Sequence, residues 1–118
     1  MVTFAYSQTD LLQVRLAHSW KLIKMEENGV ARPSDPTLTD YRIIFKSDFT
    51  VQQGLIPDGL INGTYTVDDA NMIVTITDKQ TKVDYKVKVI KITTDELILQ
   101  DLSDKNSMLM YYQLAEKD

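Results

Sequence analysis

From residue 20 to the end of the chain, apolar residues recur at every second position, and this alternation limits what the chain can fold into. In one segment Tyr85, Val87 and Val89 alternate with Lys86 and Lys88. Successive side chains of a β-strand point to opposite faces, so this segment predicts a sheet with one buried and one solvated face. No long helical segment remains to connect parallel strands, and an antiparallel all-β fold follows.

Period-two segments bounded by turn residues predict eight strands. They cover residues 20–26, 40–46, 49–53, 63–67, 72–77, 83–92, 96–101 and 107–114. The alternation breaks at Ile90 and Lys91, which predicts a bulge that returns Ile92 to the core side. Most connections are short and polar, as in a meander of neighbouring strands. The absence of long return connections favours an eight-stranded antiparallel up-and-down barrel over a sandwich, and closure also removes exposed sheet edges.

A short helix is predicted before the first strand, between Thr9 and Ala17. Leu12 and Leu16 have the i, i+4 spacing of one helix face, and Thr9 is a suitable N-cap. We expect this helix to act as a lid or plug for one end of the barrel.

Length and charge restrict the domain count and the partners. The chain has 118 residues, so residues 9–118 are predicted to form a single domain. The net charge of −4 disfavours nucleic acid or an anionic membrane surface as a partner, because both require clustered basic residues. No apolar run is long enough to insert into a membrane, and there is no cysteine for a disulfide or a thiolate site.

Residues 1–8 carry the only indication of location. Ala5 and Ser7 lie two residues apart ahead of the polar Gln8, as at a signal-peptide cleavage site, although the basic region is missing. This segment is either the remnant of a signal peptide or a disordered N-terminus. The first alternative predicts an exported protein.

No arrangement of residues indicates catalysis or a metal site. His18 is the only histidine, and a transition-metal site requires about three nitrogen or sulfur ligands. The sequence has no G-x-S-x-G motif, the strained turn that presents a serine nucleophile. Asp68, Asp69 and Asn71 lack the spacing of a calcium loop and are typical turn residues. We therefore expect no enzyme activity, no cofactor and no metal.

Large side chains on the predicted inner face are the candidate pocket. They either fill the core or line a cavity for a small apolar ligand, with tyrosine hydroxyls orienting a polar group of that ligand. Binding without catalysis is the leading hypothesis. The candidates are Trp20, Tyr41, Phe45, Phe49, Tyr65, Met72, Tyr85, Met110 and Tyr112.

The segment from residue 54 to residue 62 is unusually apolar for a connection. It is predicted as a loop with four apolar residues, Leu55, Ile56, Leu60 and Ile61, around a turn at residues 57–59. Such residues must cover something. As a gate they would cover the barrel mouth, and Gly54 and Gly59 would give the loop its freedom. Alternatively, a filled barrel would use this loop as a structural or protein-interaction surface.

Several short motifs resemble those of bacterial lipocalin-like domains of the Bacteroidetes type. The segment from Leu16 to Leu22, L-A-H-S-W-K-L, is similar to the L-x-G-x-W-x-L opening of that family, and the segments at residues 44–46, 63–67 and 94–99 follow at the expected intervals. The resemblance implies a lipocalin-like barrel suited to an apolar ligand. It also implies an exported bacterial protein, located in the periplasm, at the cell surface or outside the cell.

Two positions depart from the family pattern. His18 replaces the usual glycine, and the last strand lacks the arginine that packs over the opening tryptophan in lipocalins. The resemblance therefore implies that the barrel end near Trp20 is closed in a different way.

Overall fold

The protein is described by a computed structural model that covers residues 11–32, 41–55, 59–102 and 108–115. Within these ranges the chain forms one short helix and nine strands. They are α1 (Leu12–Leu16), β1 (Ser19–Glu27), β2 (Val30–Arg32), β3 (Tyr41–Phe45), β4 (Thr50–Leu55), β5 (Gly59–Asp68), β6 (Ile73–Asp78), β7 (Asp84–Ile92), β8 (Glu96–Asp101) and β9 (Leu109–Leu114). Eight of these strands correspond to the predicted ones.

The strands form one antiparallel sheet that closes on itself. Strands β3 to β9 pair in sequence order, and β1 pairs with both β3 and β9. The ladder between β1 and β9 runs from Trp20 opposite Leu114 to Glu26 opposite Leu109. The predicted eight-stranded up-and-down barrel is confirmed, and β2 is a short extra strand that pairs with the far end of β1.

The faces of β7 agree with the predicted alternation. Val87 and Val89 are buried and Tyr85 is half-buried, while Lys86 and Lys88 are exposed. The pairing of β7 with β8 shifts register between Val89 and Lys91, which is the predicted bulge, and it leaves Ile92 on the core side at 7% exposure.

Helix α1 closes one end of the barrel. Leu12 and Leu16 are buried in the core, and the N–H of Leu12 donates to Asp69 Oδ1 at 2.8 Å. Gln13 and Arg15 donate from the same helix to groups at the barrel rim, including the Ile92 carbonyl at 2.8 Å. We call this side, with the turns after β3, β5 and β7, the closed end, and the opposite side the open end. The plug predicted from the leucine spacing is present.

Trp20 lies at the closed end, next to α1. Its side chain is fully buried, and its indole N–H donates to the Leu16 carbonyl at 3.0 Å. His18 meets the indole edge-on, with 6.0 Å between ring centroids. Helix α1 and His18 therefore cover the tryptophan on this side.

Three predictions about local structure are wrong. The N-cap of α1 is Leu11 and not Thr9, since the helix begins only at Leu12. The loop predicted for residues 54–62 is mainly a hairpin, because Gly54 pairs with Leu60 and Leu55 with Gly59. Strand β2 lies between the first two predicted strands, where no strand is predicted. It forms because a tight turn at residues 28–29, both with positive φ, folds it onto β1.

Candidate ligand-binding cavity

The half of the barrel at the open end is hollow. It contains a cavity of about 350 Å³. The cavity is lined by residues of β1, β3, β4 and β6 to β9: Leu22, Met25, Tyr41, Ile43, Gln53, Ile76, Tyr85, Val87, Leu99, Asp101, Met110 and Tyr112. Core residues that do not line this cavity, among them Leu12, Leu16 and Trp20, belong to the same hydrophobic cluster and lie towards α1. We call this part of the barrel the packed half.

The part of the cavity nearest the packed core is apolar. Ile43, Ile76, Val87 and Leu99 lie here, each at most 2% exposed. They come from four different strands, because alternation places one residue of each strand on the inner face at the same depth. We call these four residues the cavity floor.

Polar groups lie above the floor. The Gln53 side-chain amide donates to the Tyr85 hydroxyl, and the Tyr112 hydroxyl lies 3.8 Å from the Met110 sulfur. Asp101 is the last residue of β8 and lies at the open end. The cavity thus combines an apolar floor with a small number of polar groups, which is the usual composition of small-molecule sites.

Burial keeps the cavity tyrosines protonated. Desolvation raises the pKa of Tyr85 to about 12, although the hydrogen bond from Gln53 acts in the opposite direction. Desolvation also raises the pKa of Tyr41 and of Tyr112, and for Tyr112 the nearby phenols of Tyr41 and Tyr85 add to it. At neutral pH these side chains are uncharged hydroxyl groups.

Four of the nine predicted pocket residues line this cavity: Tyr41, Tyr85, Met110 and Tyr112. Trp20, Phe45 and Tyr65 point inward as predicted but belong to the packed half, where Tyr65 bonds to Gln13 and to the Lys46 carbonyl. Met72 packs against the same core from the turn after β5.

The prediction for Phe49 is wrong. This residue precedes β4 in a turn with φ of 68°, and its side chain is 46% exposed. Its ring lies against Tyr65 from outside the core, with 5.4 Å between centroids. The alternation was extended one residue too far, into the turn.

The three gate residues that the structure describes do not line the cavity. Leu55 ends β4 and is 36% exposed, and Ile61 in β5 is 51% exposed. Leu60 and Ile61 instead border a separate surface depression with Asn62, Lys79 and Gln80. Ile56 lies outside the described residues. Leu55, Leu60 and Ile61 are paired in the ladder between β4 and β5, and not in the loop that was predicted for them.

Sequence reasoning missed Gln53 and Asp101. Both lie on inner-face positions, since Gln53 follows the buried Val51 at a spacing of two and Asp101 follows the buried Leu99 in the same way. A polar residue at an inward position of a barrel strand was the available signal. Leu22 and Met25 were missed because a register shift in β1 between Leu22 and Lys24 interrupts the alternation there.

In the parts of the chain that the structure describes, no group of three or more histidine, cysteine or acidic residues could hold a metal ion. Over the same ranges, no helix is long and apolar enough to cross a membrane.

A closed eight-stranded barrel with a central cavity defines the chain as a lipocalin-like β-barrel protein. The comparison with protein families agrees: the family described as "Lipocalin-like domain" matches residues 16–99. The chain therefore belongs to the lipocalin-like domain family.

Solved structures with the same fold come from Bacteroides species. A DUF4847 family protein from Bacteroides vulgatus is 13% identical with a TM-score of 0.64, over 90% of this chain and 98% of that one. A lipocalin-like protein from Bacteroides uniformis is 16% identical with a TM-score of 0.63, over 86% and 99%. A further Bacteroides uniformis protein is 20% identical with a TM-score of 0.60, over 92% and 94%. No curated protein sequence gave a match.

Proposed function

We propose that this protein is a non-catalytic binding protein for a small apolar ligand, held in the open-end cavity. The observation that carries this proposal is the cavity itself, whose floor is formed by four buried aliphatic side chains. Its volume of about 350 Å³ lies at the lower end of the range for small-molecule pockets. If each non-hydrogen atom takes about 30 Å³, the volume of one water molecule in the liquid, the cavity has room for roughly a dozen such atoms.

A ligand would complete the packing of this half of the barrel. Apolar side chains that face a void lack contacts on one side. An apolar ligand supplies these contacts, and its own apolar surface is removed from water. The closed end needs no guest, because α1 and Trp20 already fill it. The alternative of a filled barrel is not supported by a hollow open half, so binding is the function we propose. The pattern at Ala5 and Ser7 supports export of this bacterial binding protein.

Filling the cavity should abolish binding. We choose Val87→Trp, because Val87 is a floor residue whose enlarged side chain would occupy the ligand's place. The probe is aminonaphthalene, an uncharged fluorophore of about the cavity's size whose emission shifts to the blue in apolar surroundings. The wild-type protein should bind it, and Val87→Trp should weaken binding about tenfold or more. A tenfold change in affinity corresponds to about 1.4 kcal/mol, and burial of one apolar side chain contributes more than that.

Lys88→Trp is the matched control. It places the same side chain one residue further along β7, on the exposed outer face. This variant should bind the probe like the wild type. The proposal is contradicted if the wild type does not bind, or if Val87→Trp and Lys88→Trp bind equally well while circular dichroism shows both to be folded.

A further inference from the structure

Three tyrosine hydroxyls face the cavity, and each has a proton without a strong acceptor. The Tyr41 hydroxyl makes no hydrogen bond to any described residue, and burial alone accounts for its altered pKa. The Tyr112 hydroxyl has only the Met110 sulfur at 3.8 Å, and thioether sulfur is a weak acceptor.

The third hydroxyl is part of the Gln53–Tyr85 pair. In this pair the Gln53 amide nitrogen donates to the Tyr85 oxygen, so the Tyr85 proton remains unused. If the amide were turned over, Tyr85 would donate to Gln53 and the amide N–H groups would be unused instead. The pair therefore retains a donor in either arrangement, and the cavity is rich in donors.

The charges around the cavity disfavour an ionic ligand. Among the described residues that line it, none is a lysine, arginine or histidine. A carboxylate ligand would lose its hydration without gaining a cation, and it would be repelled by Asp101. For an ammonium ligand, Asp101 is the one carboxylate among the described lining residues, and it already interacts with another group.

We infer that the cavity selects an uncharged apolar molecule that carries an oxygen acceptor, such as a ketone, ester or ether. This inference rests on the proposed function. The ligand's apolar body lies on the cavity floor, and its oxygen accepts from Tyr41, from the Gln53–Tyr85 pair, or from both. Because the pKa of Tyr85 is raised to about 12, this hydroxyl keeps its proton and remains a donor at neutral pH.

Four compounds of similar size and with a common phenyl group test the inference. They are butyrophenone with a ketone, butylbenzene with no polar group, phenylbutyrate with a carboxylate and phenylbutylamine with an ammonium group. Their affinities are measured by calorimetric titration of the full chain at neutral pH. Butyrophenone should bind about three- to tenfold more tightly than butylbenzene, which is the effect of a net hydrogen bond. Both charged compounds should bind more weakly than butyrophenone.

Removal of two of the hydroxyls should weaken the preference. In Tyr41→Phe with Tyr85→Phe, the ratio of the butyrophenone affinity to the butylbenzene affinity should fall clearly below its wild-type value, with the amide of Gln53 and the hydroxyl of Tyr112 as the remaining donors. Tyr111→Phe is the control, because Tyr111 bonds to Glu26 at 2.9 Å and does not line the cavity. This control should keep the wild-type ratio. If the double variant is unstable, each single variant should lower the ratio.

The outcomes separate the inference from the proposed function. If none of the four compounds binds, the proposed function fails. If butylbenzene binds as tightly as butyrophenone, or if a charged compound binds most tightly, binding stands and the inference is overturned. The inference is also overturned if the ratio is unchanged when both hydroxyls are removed.

Discussion

Replacement of Trp20 by alanine is expected to lower the free energy of unfolding by about 3 to 5 kcal/mol, as for other large aromatic side chains in packed cores. Trp20 is fully buried, and its removal leaves a cavity between α1 and the first strand. The substitution also deletes the hydrogen bond to the Leu16 carbonyl, whose buried oxygen then loses a partner. Both losses act in the same direction.

Urea denaturation followed by far-ultraviolet circular dichroism measures this effect, since the chain has no second tryptophan to report by fluorescence. Val83→Ala is the control, because Val83 is 60% exposed and its change should stay within about 0.5 kcal/mol. A loss of stability below about 1 kcal/mol for Trp20→Ala would contradict the packing of this side chain in the core at the closed end.

Gly63→Ala should also be strongly destabilising, by about 3 kcal/mol, the upper end of the range for overpacking. A β-carbon at this position would lie 2.4 Å from the Thr77 carbonyl oxygen. That oxygen belongs to the backbone of the neighbouring strand and cannot turn away as a side chain would. Strands β5 and β6 would have to separate.

The same denaturation experiment tests this change, with Thr64→Ala as its control. Thr64 is the next residue of β5, and its side chain is exposed on the outer face. The control tests the effect of an alanine at this point of the strand, and it should cost less than about 1 kcal/mol. Equal losses for the two variants would show that the close approach at Gly63 is not the cause.

The strands could be predicted from the sequence because one face of the barrel wall packs in the core and the other face is in contact with water. Alternation over residues 85–89 identified the inner face of β7, and its interruption located the bulge before Ile92. The pairing of residues 54–55 with residues 59–60 was not predicted, because the sequence Pro57-Asp58-Gly59 is typical of a loop and the apolar residues around it break the alternation. Pairing with the neighbouring strand decides such segments, and a single sequence does not contain that information.

The cavity could be predicted only in part, because alternation gives the face of a residue but not its depth along the barrel axis. Trp20 and Tyr85 are both inward, yet one lies in the packed half and the other lines the cavity. Depth depends on which end α1 plugs. The contacts of α1, such as those between Leu12 and Asp69 and between Gln13 and Tyr65, determine which end this is, and the sequence does not contain them.

Xenon tests most directly whether the open half of the barrel holds an accessible apolar cavity. Xenon enters apolar cavities and is visible in a crystal by its electron density. A crystal under xenon pressure should show the atom against the floor residues Ile43, Val87 and Leu99, and the density should be absent there in Val87→Trp. If xenon does not enter between these residues in the wild-type protein, the open half is filled and the proposed binding site is contradicted.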